Sequence, residues 1–334
     1  MKAMTLAHPG SIESRPLVLR DLVMPEPAED EILVEVRACG ICRTDLHVVE
    51  GELPPRLPNV IPGHQVVGRV VRCGSRAQKY ATGARVGIPW LHRTDGICEF
   101  CTRGRENLCP HALLTGWTVN GGYAEFLTAP EQFVYPIPEN FSDLAAAPLL
   151  CAGIIGFRAL RLAELHAGDT LGIYGFGAAG HVCIQVARHW DLRVVVCTRE
   201  DKHRKLAAQL GAEWVGGASD DPPLALNAAI LFAPAGELVS AALKNLKRGG
   251  TLVLGGIYMS PIPSFSYDLL YWERKIVSVA NNTRQDGMDF LRIAAEIPIH
   301  TEIHRFPLEE ANEALYELKH NGIRGAGVLT IDRH

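Results

Sequence analysis

Three cysteines stand at C-x2-C-x7-C spacing in the run DGICEFCTRGRENLC: Cys98, Cys101 and Cys109. Thiolates spaced in this way suit a tetrahedral metal loop. Three residues before Cys98 the chain has Asp95 rather than a fourth cysteine. The loop is therefore either a four-ligand site with one ligand changed or a loop without its metal. A second set is dispersed. CGICRTDLH (39–47) carries a C-x2-C whose spacing fits a redox pair or two ligands of one metal. PGHQVVG places His64 between a glycine and a glutamine, and PLLCAGIIG places Cys151 just before a helical pattern. Taken singly, a buried cysteine or histidine is most often a core residue. A third set is GFGAAG, which puts Gly175, Gly177 and Gly180 at G-x-G-x-x-G spacing.

That motif carries weight only after a strand and before a helix. TLGIYGFGAAGHVCIQVARHW supplies both: an apolar strand, a glycine turn and a helical pattern. The glycines let the backbone turn tightly and approach a pyrophosphate seated on the helix N-terminus. At the end of the next strand an NAD site usually has an acid for the ribose hydroxyls. This chain has Cys197, Thr198 and Arg199 there, with Glu200 following. A hydroxyl and a guanidinium suit a 2′-phosphate better than a carboxylate would, so NADP(H) is the expected dinucleotide, with NAD(H) as the alternative.

The surrounding pattern splits the chain. EILVEVRACG (31–40), QVVGRVVRCG (65–74), GARVGIP and GGYAEFLTA read as short strands bounded by glycine and proline, a β-rich region up to about residue 150. From LCAGIIGFRALRLAEL onward, strands alternate with helices through RVVVCT, DKHRKLAAQLG, AAILFA, ELVSAALKNLKRGG and TLVLGGI. YDLLYWERK reads as a last helix and IVSVA as a last strand. Such alternation predicts an α/β, doubly wound parallel sheet. RQDGMDFLRIAAE and FPLEEANEALYELKHNG predict two further helices, and GAGVLTID a closing strand.

Length and composition bound the rest. At 334 residues the chain suits two domains, and 47% hydrophobic with 21% charged residues is ordinary globular usage. A net charge of −4 gives no basic field for nucleic acid or an anionic membrane. No apolar run is long enough to span a bilayer, and MKAMTLAHPG lacks a signal-peptide layout. Nine cysteines without a secretory signal favour metal ligation over a disulfide framework, and a cytoplasmic location is expected.

In combination, CRTDLH, the GH with a glycine four residues on, the cysteine-rich lobe, LLCAG, GFGAAG and the closing GIRGAGVLTI resemble the zinc-dependent alcohol dehydrogenases of the medium-chain dehydrogenase/reductase superfamily over the full length. The resemblance implies a GroES-like β-rich catalytic domain, 1–152 and 281–334, and a Rossmann domain, 153–280, with the active site in the cleft. It implies Cys42, His64 and Cys151 as ligands of a catalytic zinc, with Cys39 outside the set and Asp45 orienting His64. Three protein ligands leave one coordination position open to substrate. Thr44 would take the alcohol's proton and His47 pass it to solvent by way of the nicotinamide ribose, while Arg43 and Arg324 would meet the cofactor pyrophosphate. Aligned to the family's C-x2-C-x2-C-x7-C lobe, Asp95, Cys98, Cys101 and Cys109 would hold a second, structural zinc. His92 is a rival fourth ligand at the wrong spacing.

Leu53, Trp90, Leu91 and Trp117 fall near the family's substrate pocket, where two tryptophans would narrow it toward small primary or unbranched alcohols or their aldehydes. Gln65 departs from a frequent glutamate; without that negative charge the bound alcohol should ionise slightly more readily. A polyol or sugar dehydrogenase and a non-catalytic nucleotide-binding redox sensor are the alternative readings. The family implies a homodimer or homotetramer, with KIVSVA as the pairing edge.

Overall fold

The computed structural model describes residues 1–218 and 220–331. These divide into two compact units: residues 1–151, 283–295 and 301–331, and residues 152–218 and 220–282 with 296–300. The short segment 296–300, expected with the first domain, groups with the second unit instead. There Gln185 clasps it, Nε2 donating to the His300 carbonyl and Oε1 accepting the His300 amide, each at 2.8 Å.

The first unit is built on a seven-stranded sheet. Its path runs Ile303–Pro307, Ala326–Thr330, Glu31–Gly40, Gln65–Cys73, Arg85–Ile88 and Tyr135–Pro136, with Phe126–Pro130 pairing the side of Glu31–Gly40. Only the first pair is parallel. Glu31–Gly40 is the hub, bonded to three neighbours. Its register against Gln65–Cys73 shifts twice, between Leu33 and Val34 and between Val36 and Ala38. Such bulges re-aim side chains, and this strand buries Ile32, Leu33 and Val34 in succession instead of alternating. The strand expected in GGYAEFLTA begins only at Phe126. Two small antiparallel hairpins flank the sheet: Lys2–Leu6 with Leu17–Asp21, and Leu91–Arg93 with Leu113–Leu114.

The cysteine-rich lobe lies in the chain between the strands Leu91–Arg93 and Leu113–Leu114. It is fastened to the helix Arg284–Glu296 by Glu106, whose Oε1 accepts both the Arg284 amide (2.8 Å) and its Nε (2.9 Å). The Arg284 guanidinium lies 4.6 Å from the Phe133 ring centroid, so one side chain ties lobe, helix and sheet loop.

The second unit is a six-stranded, wholly parallel sheet. Its order is Trp214–Gly216, Arg193–Cys197, Thr170–Tyr174, Leu226–Leu231, Leu246–Leu254, Lys275–Ser278. This is the 3-2-1-4-5-6 order of a doubly wound dinucleotide-binding fold. Thr170–Tyr174 is buried at every residue, as a central parallel strand covered on both faces must be. One expected helix is absent: YDLLYWERK forms only the 3-10 turn Tyr267–Leu269. Its aromatics do not line a buried stripe, for Tyr267, Tyr271 and Trp272 are 71%, 58% and 44% exposed. A lone helix without an apolar face to bury is marginal. No single helix among the described residues is long and apolar enough to cross a membrane.

Candidate active site

The site of the first unit grows from one strand and one helix. Glu31–Gly40 runs into Ile41 and Cys42, and Cys42 is the N-cap of the helix Arg43–Glu50. Asp45, in the helix's first turn, reaches back so that its Oδ2 accepts the Cys42 amide at 2.9 Å. Its Oδ1 accepts the Gly63 amide at 3.1 Å and meets Nδ1 of His64 at 2.9 Å. Asp45 and His64 are each 1% exposed. One carboxylate thus holds the cap, the turn before the histidine and the histidine ring. The turn itself demands glycine: Gly63 has φ +97°, and a Cβ there would lie 2.4 Å from Tyr123 Cδ1.

Cys151, between the 3-10 turn Ala147–Leu150 and the helix Ala152–Leu162, completes the group. The sulfurs of Cys42 and Cys151 and a ring nitrogen of His64 all lie within 4.8 Å of one another. Tetrahedral zinc with thiolates at about 2.3 Å sets its ligand atoms roughly 3.8 Å apart, so the donors need little movement to close on an ion. Two observations fit a cation here. His64 Nε2 is buried without a hydrogen-bond partner, a costly state unless something binds it. Burial would lower the His64 pKa, but the Asp45 carboxylate and the Cys42 sulfur overcome that and push it up to about 10. The hydrogen bond from Cys151 draws the Cys42 thiol well below its usual range against the effect of burial, while Cys151 is raised. The pocket is short of positive charge, which a divalent ion supplies in place of the proton.

Around this group the other candidates fall as follows. Thr44 is the second residue of the helix, not its cap, and its Oγ1 lies 3.7 Å from Cys42 Sγ. His47 lies in the last helical turn, 7% exposed. Its Nδ1 is hydrogen-bonded to Glu52, a residue that the sequence reading passed over. The available signal was an acid just past the glycine that ends the helix. Trp90 stands with its ring 6.0 Å from His64 and stacks on Trp117 at 6.2 Å. Trp117 Nε1 donates to the Pro54 carbonyl at 2.9 Å, next to half-buried Leu53. Leu91 differs: at 1% exposure it faces Leu114 inside its hairpin. Arg43 opens the helix, and Arg324 lies 3.6 Å from Glu302 before the closing strand. Gln65 is buried against Gly40.

In the lobe, Asp95, Cys98, Cys101 and Cys109 also bring their ligand atoms within 4.8 Å of one another. Asp95 Oδ1 accepts the amides of Cys98 and Ile97, both at 3.0 Å, and these bonds hold the carboxyl far below the usual carboxylate range. An ionised oxygen donor beside three sulfurs is a feasible zinc set. His92 is not in the group. It is buried, 4.0 Å from Glu31.

The second unit carries the glycine turn. Gly175 has φ +88°, and a Cβ there would press to 2.7 Å on the Ala233 amide. A Cβ on Gly177 would meet nothing within 4 Å, so the backbone is bare at the start of the helix Ala178–His189. The first amides of that helix have no acceptor within it, which suits a pyrophosphate. Thr198 is buried beyond Cys197, its amide bonded to the Gly216 carbonyl at 3.0 Å, and Arg199 is exposed.

Known proteins place this geometry. Residues 28–139 match the family model "Alcohol dehydrogenase GroES-like domain", and residues 178–296 match "Zinc-binding dehydrogenase". The "Probable alcohol dehydrogenase AdhA" of Mycobacterium tuberculosis is 48% identical over 337 residues, covering 99% of this chain and 97% of that protein. A cinnamyl alcohol dehydrogenase of Sorghum bicolor superposes with TM-score 0.90 at 27% identity, over 98% of this chain and 97% of its own. A zinc-binding dehydrogenase from Sinorhizobium meliloti, bound to NADP, superposes with TM-score 0.85 at 27% identity, over 99% of both chains.

Proposed function

We infer that this chain, which belongs to the GroES-like, zinc-binding alcohol dehydrogenases of the medium-chain dehydrogenase/reductase superfamily, is a zinc-dependent enzyme for small primary or unbranched alcohols and their aldehydes, with NADP(H) as its preferred dinucleotide. The observation that carries this reading is the meeting of Cys42, His64 and Cys151 around an unpartnered, buried imidazole nitrogen. Those three side chains would hold a catalytic zinc, and Asp95, Cys98, Cys101 and Cys109 a structural one. When bound, zinc acidifies an alcohol hydroxyl and the nicotinamide accepts the hydride.

The chain's own residues do the rest. Asp45 fixes the proton of His64 on Nδ1 and turns Nε2 toward the two sulfurs. Thr44, beside Cys42, takes the hydroxyl proton, and His47 receives it for delivery to water. Trp90 and Trp117 form a flat wall near His64, which favours narrow, unbranched chains. The turn at Gly175, Gly177 and Gly180, bare at Gly177, cradles the pyrophosphate. Thr198 and exposed Arg199 meet the 2′-phosphate. That the Sinorhizobium meliloti relative carries NADP is consistent with this choice.

The test is a panel of straight, branched and polyhydroxylated alcohols, each assayed with NAD and NADP alongside metal content. The reading expects the highest kcat/KM for short unbranched alcohols with NADP. A clear preference for polyols, or for NAD, contradicts the corresponding part.

A further inference from the structure

We propose that Glu52 is a positioning residue of this reaction: its carboxylate accepts the Nδ1 proton of His47 and so fixes the imidazole tautomer whose Nε2 takes up the alcohol's proton. The proposal rests on the reading of His47 as the base of the relay.

The backbone builds this contact. The helix Arg43–Glu50 ends at Gly51, whose φ of +84° is cheap only for glycine. The chain reverses there, and the Leu53 amide donates to the His47 carbonyl at 3.0 Å. Glu52, caught between Gly51 and Leu53, is returned to the last helical turn with its carboxylate against His47 Nδ1. An ionised carboxylate can only accept, so Nδ1 is the donor and the lone pair sits on Nε2.

Exposure separates the two partners. The His47 side chain is 9% exposed and that of Glu52 is 38% exposed. So enclosed a ring is oriented by the carboxylate at its Nδ1 and by the turn that returns Glu52 to it, not by solvent. The proton balance is simple. Oxidation of one alcohol sends one hydride to the nicotinamide and one proton to Nε2, and the ring later yields a proton to water. Glu52 keeps its bond to Nδ1 throughout and is neither consumed nor covalently changed. This is the part that a buried carboxylate plays behind a catalytic histidine in other folds.

The test is a double-mutant cycle on the zinc-loaded, full-length enzyme: Glu52→Leu, Glu52→Asp, His47→Gln and the Glu52→Leu/His47→Gln pair. The measurements are steady-state alcohol oxidation and dinucleotide affinity by fluorescence titration. Glu52→Leu is expected to lower kcat roughly tenfold, part of the about 10²- to 10⁴-fold that a positioned acid–base group contributes. Alcohol KM and dinucleotide Kd should stay within about twofold, and Glu52→Asp should recover most of kcat. In the His47→Gln background, Glu52→Leu should change kcat by less than about twofold, the scatter of independent effects. An equal loss in both backgrounds, or an intact Glu52→Leu beside an impaired His47→Gln, overturns the proposal. A His47→Gln variant with full kcat overturns instead the reading of His47 as base, and the proposal with it.

Discussion

Asp45 accepts from the Cys42 amide and the Gly63 amide and bonds the His64 ring, so it braces two of the three clustered donors without being one of them. Asp45→Asn should lower zinc affinity at Cys42, His64 and Cys151 by about 10- to 100-fold, read by chelator competition. Asparagine cannot supply the negative charge that raises His64. Unchanged affinity would mean that the ring is held by packing alone. At the other cofactor, Arg199→Ala should raise KM for NADP about tenfold or more and leave KM for NAD unmoved, since a charge-assisted bond contributes roughly 1.5–3 kcal/mol. An equal rise for both dinucleotides would place Arg199 on a phosphate that they share.

Among the elements, the hairpin strand Leu91–Arg93 carries an acid-sensitive residue. His92 is 5% exposed, and burial first, with Arg93 adding to it, lowers its pKa from 6.5 to about 4 against the pull of Glu31. The folded protein therefore keeps it neutral after the unfolded chain has begun to protonate. Its contribution is fully present above pH 6.5 and is lost as pH falls from 6.5 toward 4. Urea unfolding should show about 2 kcal/mol less stability at pH 5 than at pH 7.5 from this group. His92→Leu should remove that increment of the pH dependence; an unaltered slope would assign it elsewhere.

How much was legible follows the same scale. Strand, GFGAAG turn and helix lie within one short run, so local pattern alone marks the dinucleotide cradle. Cys42, His64 and Cys151 are far apart in the chain, and no periodicity brings them together; only resemblance did. The Glu52 contact depends on the left-handed turn at Gly51, and the 3-10 turn in YDLLYWERK depends on its neighbours' failure to bury aromatics. For Glu52 the residue types give only a hint, an acid just past the glycine that ends the helix; for the 3-10 turn they give none.

Across the whole molecule, five of nine cysteines fall in the two donor clusters, and no disulfide occurs among the described residues. Of the other four, Cys39, Cys183 and Cys197 are buried, and burial raises all three. This distribution leaves two donor clusters, each able to hold one metal ion. The most direct measurement follows bound zinc and alcohol oxidation together during stepwise chelation of the purified enzyme. The rate should fall in proportion to the loss of the zinc held by Cys42, His64 and Cys151, located by anomalous diffraction, and return on adding zinc back. Full turnover with that group empty would contradict the account.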